Sequence, residues 1–167
     1  MLIDASHPVL GFARELFCED GWEITDALGR DDEAVVVELR GSGMRLLFVS
    51  VAQDGAWHRP DLATRVPQTV PEQRRPVTVP GSALESAGVQ GSGWPGPDGG
   101  PPETVWFTIN GFAAADVEGI SVSTAIDHHA ATVGPDGSFL TLVRGRRRER
   151  PSIRLHLLTG ETLDTSV

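Results

Sequence analysis

The spacing of apolar residues changes near Gly21, and this change separates two kinds of predicted structure. Before Gly21, apolar residues recur three and four positions apart, which is the spacing of one face of a helix. These residues are Val9, Phe12, Ala13, Leu16 and Phe17. The pattern predicts a helix over residues 6–20 that ends at Gly21. Ser6 is expected to be its N-cap, and Pro8 suits its first turn.

After Gly21 the apolar residues alternate with polar ones, as expected for β-strands. Three strands are predicted, at 22–27, 33–40 and 44–51. The short glycine-bearing gap between the second and third strands predicts a hairpin. The apolar stripe of the helix needs a partner, and one face of this sheet provides it. We therefore expect residues 1–66 to form a helix packed on a small antiparallel sheet.

Proline and glycine dominate the middle of the chain. Five prolines fall between residues 60 and 80, and proline is excluded from central strands because it lacks an N–H group. Residues 91–102 contain nine glycines and prolines in twelve positions, so this stretch has little apolar surface to offset the entropy of ordering. Residues 67–103 are predicted to be a connector, with a short edge strand at 77–79 and one helical turn at 82–87.

Residues 104–167 return to short alternating strands separated by turns. Expected strands cover 105–109, 120–126, 138–143, 153–157 and 162–163. The sequence Gly134-Pro135-Asp136-Gly137 has the composition of a tight turn. The pattern predicts a small β-sandwich-like module here. The whole chain is accordingly expected to be α+β and predominantly antiparallel β.

Composition is typical of a globular protein, with 40% hydrophobic and 22% charged residues. All fourteen basic residues are arginine, and the net charge is −9. A negative net charge disfavours nucleic acids and anionic membranes as partners, because both are polyanions. No apolar run is long enough for a spanning helix, and the N-terminus lacks the pattern of a signal peptide, so we expect a cytoplasmic protein. The single Cys18 excludes an intrachain disulfide and a cysteine-based zinc site.

The triplet Asp127-His128-His129 is the most prominent candidate for chemistry. Imidazole and carboxylate groups are common ligands of zinc, manganese and non-haem iron. The triplet resembles the Asp-His-His of the DHH phosphoesterases, but the aspartate-rich motifs that those enzymes carry upstream have no counterpart before Asp127. Adjacent histidines on a strand point to opposite faces, which favours a polar bend between two strands. A metal-dependent hydrolase using Asp127, His128 and His129 is the alternative hypothesis.

Other catalytic motifs are absent from the sequence. No Gly-x-Ser-x-Gly elbow is present, since Gly41-Ser42-Gly43 falls in the predicted hairpin and Gly91-Ser92-Gly93 in the predicted connector. The chain has no lysine, so it has no phosphate-binding loop of the lysine type. We predict no catalytic residue and no cofactor.

Residues 144–150 carry five arginines and one glutamate, the strongest local charge in the chain. They are interpreted as a solvated connection between strands, as a contact for an acidic protein surface, or as a nucleic-acid site, because guanidinium groups bind carboxylates and phosphates bidentately. Predicted partner-binding residues are Arg144, Arg146, Arg147, Arg148, Arg150 and Trp94. The favoured hypothesis is a non-enzymatic accessory or regulatory subunit. Its partner would be another protein, in a homo-oligomer or a larger complex.

Overall fold

The protein is described by a computed structural model that covers residues 3–18, 21–41, 43–60, 63–67, 73–79, 82–93 and 98–165. Within these ranges the chain forms one short α-helix and several antiparallel sheets, which confirms the prediction of a largely antiparallel β protein. Two compact units are present, Met1–Thr69 and Val70–Val167. Among the described residues, no helix combines the length and the apolar character needed to cross a bilayer.

The N-terminal unit contains helix α1 and a five-stranded sheet. Its elements are α1 Pro8–Phe17, β1 Glu23–Arg30, β2 Ala34–Gly41, β3 Met44–Gln53, β4 Ala56–Trp57 and β5 Thr64–Pro67. Strands β1, β2 and β3 are neighbours in that order, while β4 and β5 pair with opposite ends of β3. The hairpin between β2 and β3 is confirmed, with Gly41 opposite Met44. The pattern did not predict β4 and β5, because strands of two and four residues are too short to show a period.

The predicted cap of the helix is wrong. His7 is the N-cap, and its Nδ1 accepts a hydrogen bond from the Val9 N–H at 3.3 Å. Ser6 instead donates to Asp4 Oδ1 through its N–H at 2.8 Å and its hydroxyl at 2.6 Å. The hydroxyl that was expected to cap the helix is therefore already used by a carboxylate. Residues 19 and 20 of the predicted helix lie outside the described residues.

Three buried residues of α1, Val9, Leu10 and Ala13, belong to one apolar cluster with residues of β2 and β3. The strand residues of this cluster are Val35, Val37, Leu39, Leu46 and Phe48. They occupy alternate positions along each strand, so a single face of the sheet contributes to the cluster. Burying a large apolar side chain stabilises a fold by about 1.5–3 kcal/mol, so this cluster is a main source of stability for the unit.

The other face of β2 and β3 contains a buried ion pair. Glu38 and Arg45 are each only 2% exposed, and Arg45 Nη2 donates to Glu38 Oε2 at 2.5 Å. Glu38 Oε1 accepts from Arg40 Nε at 2.8 Å and from Thr25 Oγ1 at 3.3 Å. A buried charge is tolerated only when it is paired and hydrogen-bonded, so the two strands depend on this network.

The C-terminal unit is built from two antiparallel sheets. Its strands are β6 Leu84–Ser92, β7 Thr104–Ala113, β8 Val117–Ser123, β9 His128–Thr132, β10 Ser138–Arg146, β11 Ser152–Leu157 and β12 Thr162–Thr165. The order of the three-stranded sheet is β10-β7-β6, and that of the four-stranded sheet is β12-β11-β8-β9. The tight turn at 134–137 is confirmed by a hydrogen bond from Gly137 N to Gly134 O at 2.9 Å.

Strand β6 lies within residues 67–103, the range predicted to be a connector. The expected helical turn at 82–87 is wrong, because residues from Leu84 onward pair with β7 instead. The expected strand at 77–79 is also wrong, since these residues form no ladder. The segment that becomes β6 is rich in glycine and serine and has weak strand propensity, so its conformation is determined by pairing with β7. Trp94 lies outside the described residues.

Both sheets of the C-terminal unit contribute side chains to one buried cluster. Its members include Val105, Phe107, Ile109, Phe139 and Val143 from the three-stranded sheet and Ile120, Val122, Ile153 and Leu155 from the four-stranded sheet. On β8 and β11 these residues alternate with polar ones. The inward face of the four-stranded sheet is therefore apolar, and its outward face carries serine, arginine and histidine side chains.

The buried ion pair of the N-terminal unit gives a direct stability test. Glu38→Leu leaves the Arg45 guanidinium buried without this carboxylate and is expected to lower the free energy of unfolding by about 3–5 kcal/mol. Arg45→Met is expected to have a smaller effect, because Glu38 keeps its bonds to Arg40 and Thr25. The double variant Glu38→Leu/Arg45→Met is expected to be more stable than Glu38→Leu alone. Urea unfolding followed by circular dichroism measures all three.

The exposed pair of Arg59 and Glu15, with side chains 50% and 66% exposed, provides the control. Arg59→Gln is expected to change the free energy of unfolding by less than about 1 kcal/mol. The decreases in the free energy of unfolding caused by Glu38→Leu and by Arg45→Met could simply add in the double variant. In that case the two side chains are not coupled, and the ion pair does not stabilise the sheet.

Candidate functional site

Asp127 connects the turn between β8 and β9 to strand β10. Its Oδ1 accepts from the His128 N–H at 2.7 Å, and its Oδ2 accepts from the Arg144 N–H at 2.8 Å. Thr124 makes a parallel connection, because its Oγ1 accepts from Asp127 N at 3.0 Å and donates to Arg144 O at 2.6 Å. Both oxygens of the Asp127 carboxylate thus accept backbone N–H groups, as is typical of a structural carboxylate.

His128 and His129 are consecutive residues of β9, and they point to opposite faces of the sheet. His129 pairs with the core residue Val122, whereas His128 pairs with Ser123 on the outward face. The structure therefore does not bring Asp127, His128 and His129 together around one point. Among the residues that the structure describes, no group of three or more histidine, cysteine or acidic side chains is arranged to hold a metal ion.

Residues Arg144–Arg150, named here the arginine turn, connect β10 to β11. Alternation along the end of β10 exposes Arg144 and Arg146 and buries Gly145 between them. A Cβ atom on Gly145 would lie 2.7 Å from Phe107 Cε2 and 2.9 Å from Thr124 Cγ2. Only glycine therefore fits without displacing its neighbours, and it allows a strongly charged segment to lie directly against the apolar cluster.

Glu149, the one acidic residue of the arginine turn, bonds to the backbone. Its Oε1 accepts from the Ala125 N–H at 2.5 Å and its Oε2 from the Arg146 N–H at 3.0 Å. The Glu149 N–H donates to Arg146 O at 2.9 Å, and the Arg147 N–H donates to Glu103 O at 3.0 Å. These bonds hold the backbone of the turn against the strand ends on both sides.

The arginine side chains of the turn point into solvent. Arg144, Arg146, Arg147, Arg148 and Arg150 are all exposed. For Arg146, Arg147, Arg148 and Arg150, no side-chain hydrogen bond or ion pair is formed with any residue in the described ranges. Glu149 accepts from backbone N–H groups of the turn, and the exposed guanidinium groups of Arg146, Arg147 and Arg148 are available for another molecule.

A cavity of about 310 Å³ lies on the outward face of the four-stranded sheet. It is lined by polar residues from all four strands: Ser121, Ser123, His128, Ser152, Arg154, His156 and Asp164. In the sequence, Ser121 and Ser123 alternate with apolar residues of β8, and Arg154 and His156 with those of β11, which predicts a polar face on each strand. The pairing of β8 with β11 places Ser121 opposite Arg154. This pairing cannot be predicted from either strand alone, because the two strands are far apart in the sequence.

Two side-chain pairs organise this cavity. Ser121 Oγ and His156 Nε2 are hydrogen-bonded at 2.5 Å. The cross-strand neighbour of His156 is Gly119, where a Cβ atom would lie 3.8 Å from His156 Cβ, an ordinary van der Waals distance. Arg154 bonds Asp164 through two parallel contacts, Nε to Oδ1 at 2.7 Å and Nη2 to Oδ2 at 3.3 Å. The hydrogen bonds from Arg154 lower the pKa of Asp164 and, reciprocally, raise the pKa of Arg154.

No protein-family model, no curated protein and no solved structure matches this chain.

The role of Glu149 can be tested by amide hydrogen exchange. Glu149→Ala removes the acceptor of the Ala125 and Arg146 N–H groups, and a hydrogen bond to a charged group contributes about 1.5–3 kcal/mol. We expect both amides to exchange about tenfold faster or more in this variant. Glu103→Ala is the matched control, because it removes an exposed acidic side chain beside the same turn while its backbone carbonyl is retained. Unchanged exchange in Glu149→Ala would contradict the proposed support of the turn.

The pKa of Asp164 can be measured by NMR titration of its carboxyl carbon. Because Arg154 lowers the pKa of Asp164, we expect a value below the ordinary value of about 3.9. A lowered pKa in the folded state stabilises the fold above the pKa of the unfolded chain, and this contribution is lost as the pH falls through the folded-state pKa. Arg154→Gln should return the pKa toward its ordinary value. A pKa that does not respond to this substitution would contradict the pairing.

Proposed function

We propose that this protein is a non-enzymatic interaction module that binds an acidic surface of another protein through its arginine turn, as an accessory or regulatory subunit. The observation that supports this most directly is that carboxylates beside the turn accept hydrogen bonds from backbone N–H groups. Asp127 and Glu149 bind backbone N–H groups, whereas the guanidinium groups of Arg146, Arg147 and Arg148 are exposed. A cytoplasmic location is part of the proposal and is supported by the single cysteine.

The finer description of the fold belongs to this proposal. We infer that helix α1 packs on the N-terminal sheet, which is supported by the cluster that contains both Val9 and Phe48. We also infer that the C-terminal unit is β-sandwich-like, because its two sheets share one cluster that includes Phe107 and Ile120. In such a module the arginine turn lies where the chain passes from one sheet to the other, a position typical of binding loops.

The turn is suited to binding because its backbone is already ordered. Association is less favourable when loops must be ordered on binding, so a preformed turn retains more of the contact energy as affinity. The guanidinium group is planar and carries parallel N–H groups that match a carboxylate bidentately. Successive arginines on an ordered backbone therefore present several such groups to one surface, and binding has to order their side chains but not the backbone of the turn.

An acidic protein fits this turn better than a nucleic acid does. The net charge of the chain is −9, so a long polyanion is repelled by the molecule as a whole. At physiological ionic strength the Debye length is about 8 Å, so this repulsion acts mainly on phosphates that lie close to the acidic surface around the turn. A protein partner can place a few carboxylates at the turn and neutral surface elsewhere, whereas a nucleic acid carries phosphates along its whole length.

Two charge-matched triple variants test the proposal. Arg146→Gln/Arg147→Gln/Arg148→Gln neutralises the turn, while Arg14→Gln/Arg59→Gln/Arg75→Gln removes the same charge elsewhere. The first probe is a fluorescent poly-glutamate peptide, measured by anisotropy at low and physiological salt. We expect the turn variant to bind it at least about tenfold more weakly, and the control variant to differ by less than about threefold.

Equal weakening in both variants would show that only net charge attracts the peptide, and this would overturn the proposal. Single-stranded and duplex DNA are the second set of probes. Tighter binding of DNA than of the peptide, with steep salt dependence that decreases in the turn variant, would replace the protein-binding proposal with nucleic-acid binding.

A further inference from the structure

The cavity on the outward face of the four-stranded sheet is dominated by hydrogen-bond donors. It offers the hydroxyl groups of three serines, two imidazole rings and the guanidinium of Arg154. Asp164 is the one carboxylate of its lining, and both of its oxygens accept from Arg154. An oxyanion is bound by several donors that point to one place, and a second carboxylate there would repel it.

Arg154 retains donors for a ligand. A guanidinium has five N–H groups, and the contacts with Asp164 use Nε and one N–H of Nη2. The side chains of Arg154 and Asp164 are 57% and 72% exposed, so solvent screens their attraction and an arriving anion can compete with Asp164. The bidentate contact also fixes the plane of the guanidinium beside Ser121, its cross-strand neighbour.

The pair of Ser121 and His156 extends this donor set. When His156 Nε2 donates to Ser121 Oγ, the proton of the serine hydroxyl is free to bind an anion, because a hydroxyl can accept and donate at once. On the β9 side, Ser121 lies opposite Ala130, whose methyl group leaves the hydroxyl uncovered. The hydroxyl and the Arg154 guanidinium therefore face the same space.

We propose that this cavity binds the phosphate group of a phosphate monoester. A terminal phosphate offers three oxygens and up to two negative charges, which matches Arg154, Ser121 and the neighbouring donors better than the two oxygens of a carboxylate do. The cavity volume of about 310 Å³ is at the lower end of the range for ligand sites, and the lining has no large apolar side chain. The cavity is larger than a phosphate group, so it has room for the phosphate and for part of the group that the phosphate esterifies. This binding is independent of the function proposed for the arginine turn.

The probes are inorganic phosphate and O-phosphoserine, with serine as the comparison that lacks a phosphate, titrated into the ¹⁵N-labelled full chain and followed by NMR. We expect shifts at the amides of Ser121, Arg154 and His156 with both phosphates and none with serine. Arg154→Gln is expected to weaken binding about tenfold or more, and Ser121→Ala about threefold or more. We expect O-phosphoserine to bind more tightly than inorganic phosphate, as a monoester site requires. Similar affinities, or tighter binding of inorganic phosphate, would show that the cavity recognises phosphate alone and would overturn the assignment to a monoester.

Asp164→Asn distinguishes a ligand site from a structural ion pair. It removes the carboxylate that competes for Arg154, so binding of phosphate is expected to become several-fold tighter, whereas a purely structural pair predicts weaker binding or no change. Thr132→Ala, an exposed position of β9 outside the cavity, serves as the control and is expected to leave binding unchanged. Dispersed spectra of each variant establish that it is folded.

The proposal would also be overturned by no shifts at the lining residues with either phosphate, by undiminished binding in Arg154→Gln, or by weaker or unchanged binding in Asp164→Asn. The turn variant Arg146→Gln/Arg147→Gln/Arg148→Gln separates the two proposals. If it loses the peptide and keeps phosphate, the arginine turn and the cavity are separate sites. Loss of phosphate binding in that variant would show that the arginine turn, and not the cavity, is where phosphate binds.

Discussion

The arrangement of the C-terminal unit depends on one constraint, the need of β8 and β11 to bury the same face. Ile120 and Val122 on one strand, and Ile153 and Leu155 on the other, belong to a single cluster. A shift of one residue in either strand would exchange these side chains for serine, arginine or histidine, so the register is strongly specified. Once the register is set, the positions of the polar side chains on the outward face follow without further interactions.

Carboxylates have three different roles in this acidic chain, and the role depends on the partner. Glu38 is buried and neutralised by arginines, which holds two strands together. Asp164 binds an arginine in solvent and orients it. Glu149 accepts from the Ala125 and Arg146 N–H groups, so it orders the turn through the backbone. The exposed positive charge of the arginine turn is therefore a consequence of where its nearest acids bind.

Features that depend on neighbouring residues can be predicted from the sequence, whereas features that depend on distant residues cannot. Strands β2 and β3 are predictable because each contains a local run of apolar and β-branched residues, and β11 because its alternation is contained in six consecutive residues. Strand β6 was missed because its glycines and serines have weak strand propensity and its conformation depends on β7. The cap was misassigned because the choice between Ser6 and His7 depends on Asp4.

The candidate sites follow the same rule. The exposure of the arginines in residues 144–150 can be predicted from their charge. The hydrogen bond of Asp127 to the Arg144 N–H cannot, because the two residues are seventeen positions apart. The cavity was not predictable from spacing at all, because Ser121 and His156 are separated by thirty-five positions. Motif-based reasoning selected adjacent residues, Asp127 to His129, whereas the structure brings together residues that are distant in sequence.

Gly119 affects the cavity through its small size, because it lies next to His156. The imidazole of His156 lies across this glycine, and Ala130 beside Ser121 is similarly small. A Cβ atom at Gly119 would lie 3.9 Å from His156 Cδ2, so a larger side chain there would press on the imidazole that lines the cavity. The position of one donor therefore depends on a residue that offers no functional group to a ligand.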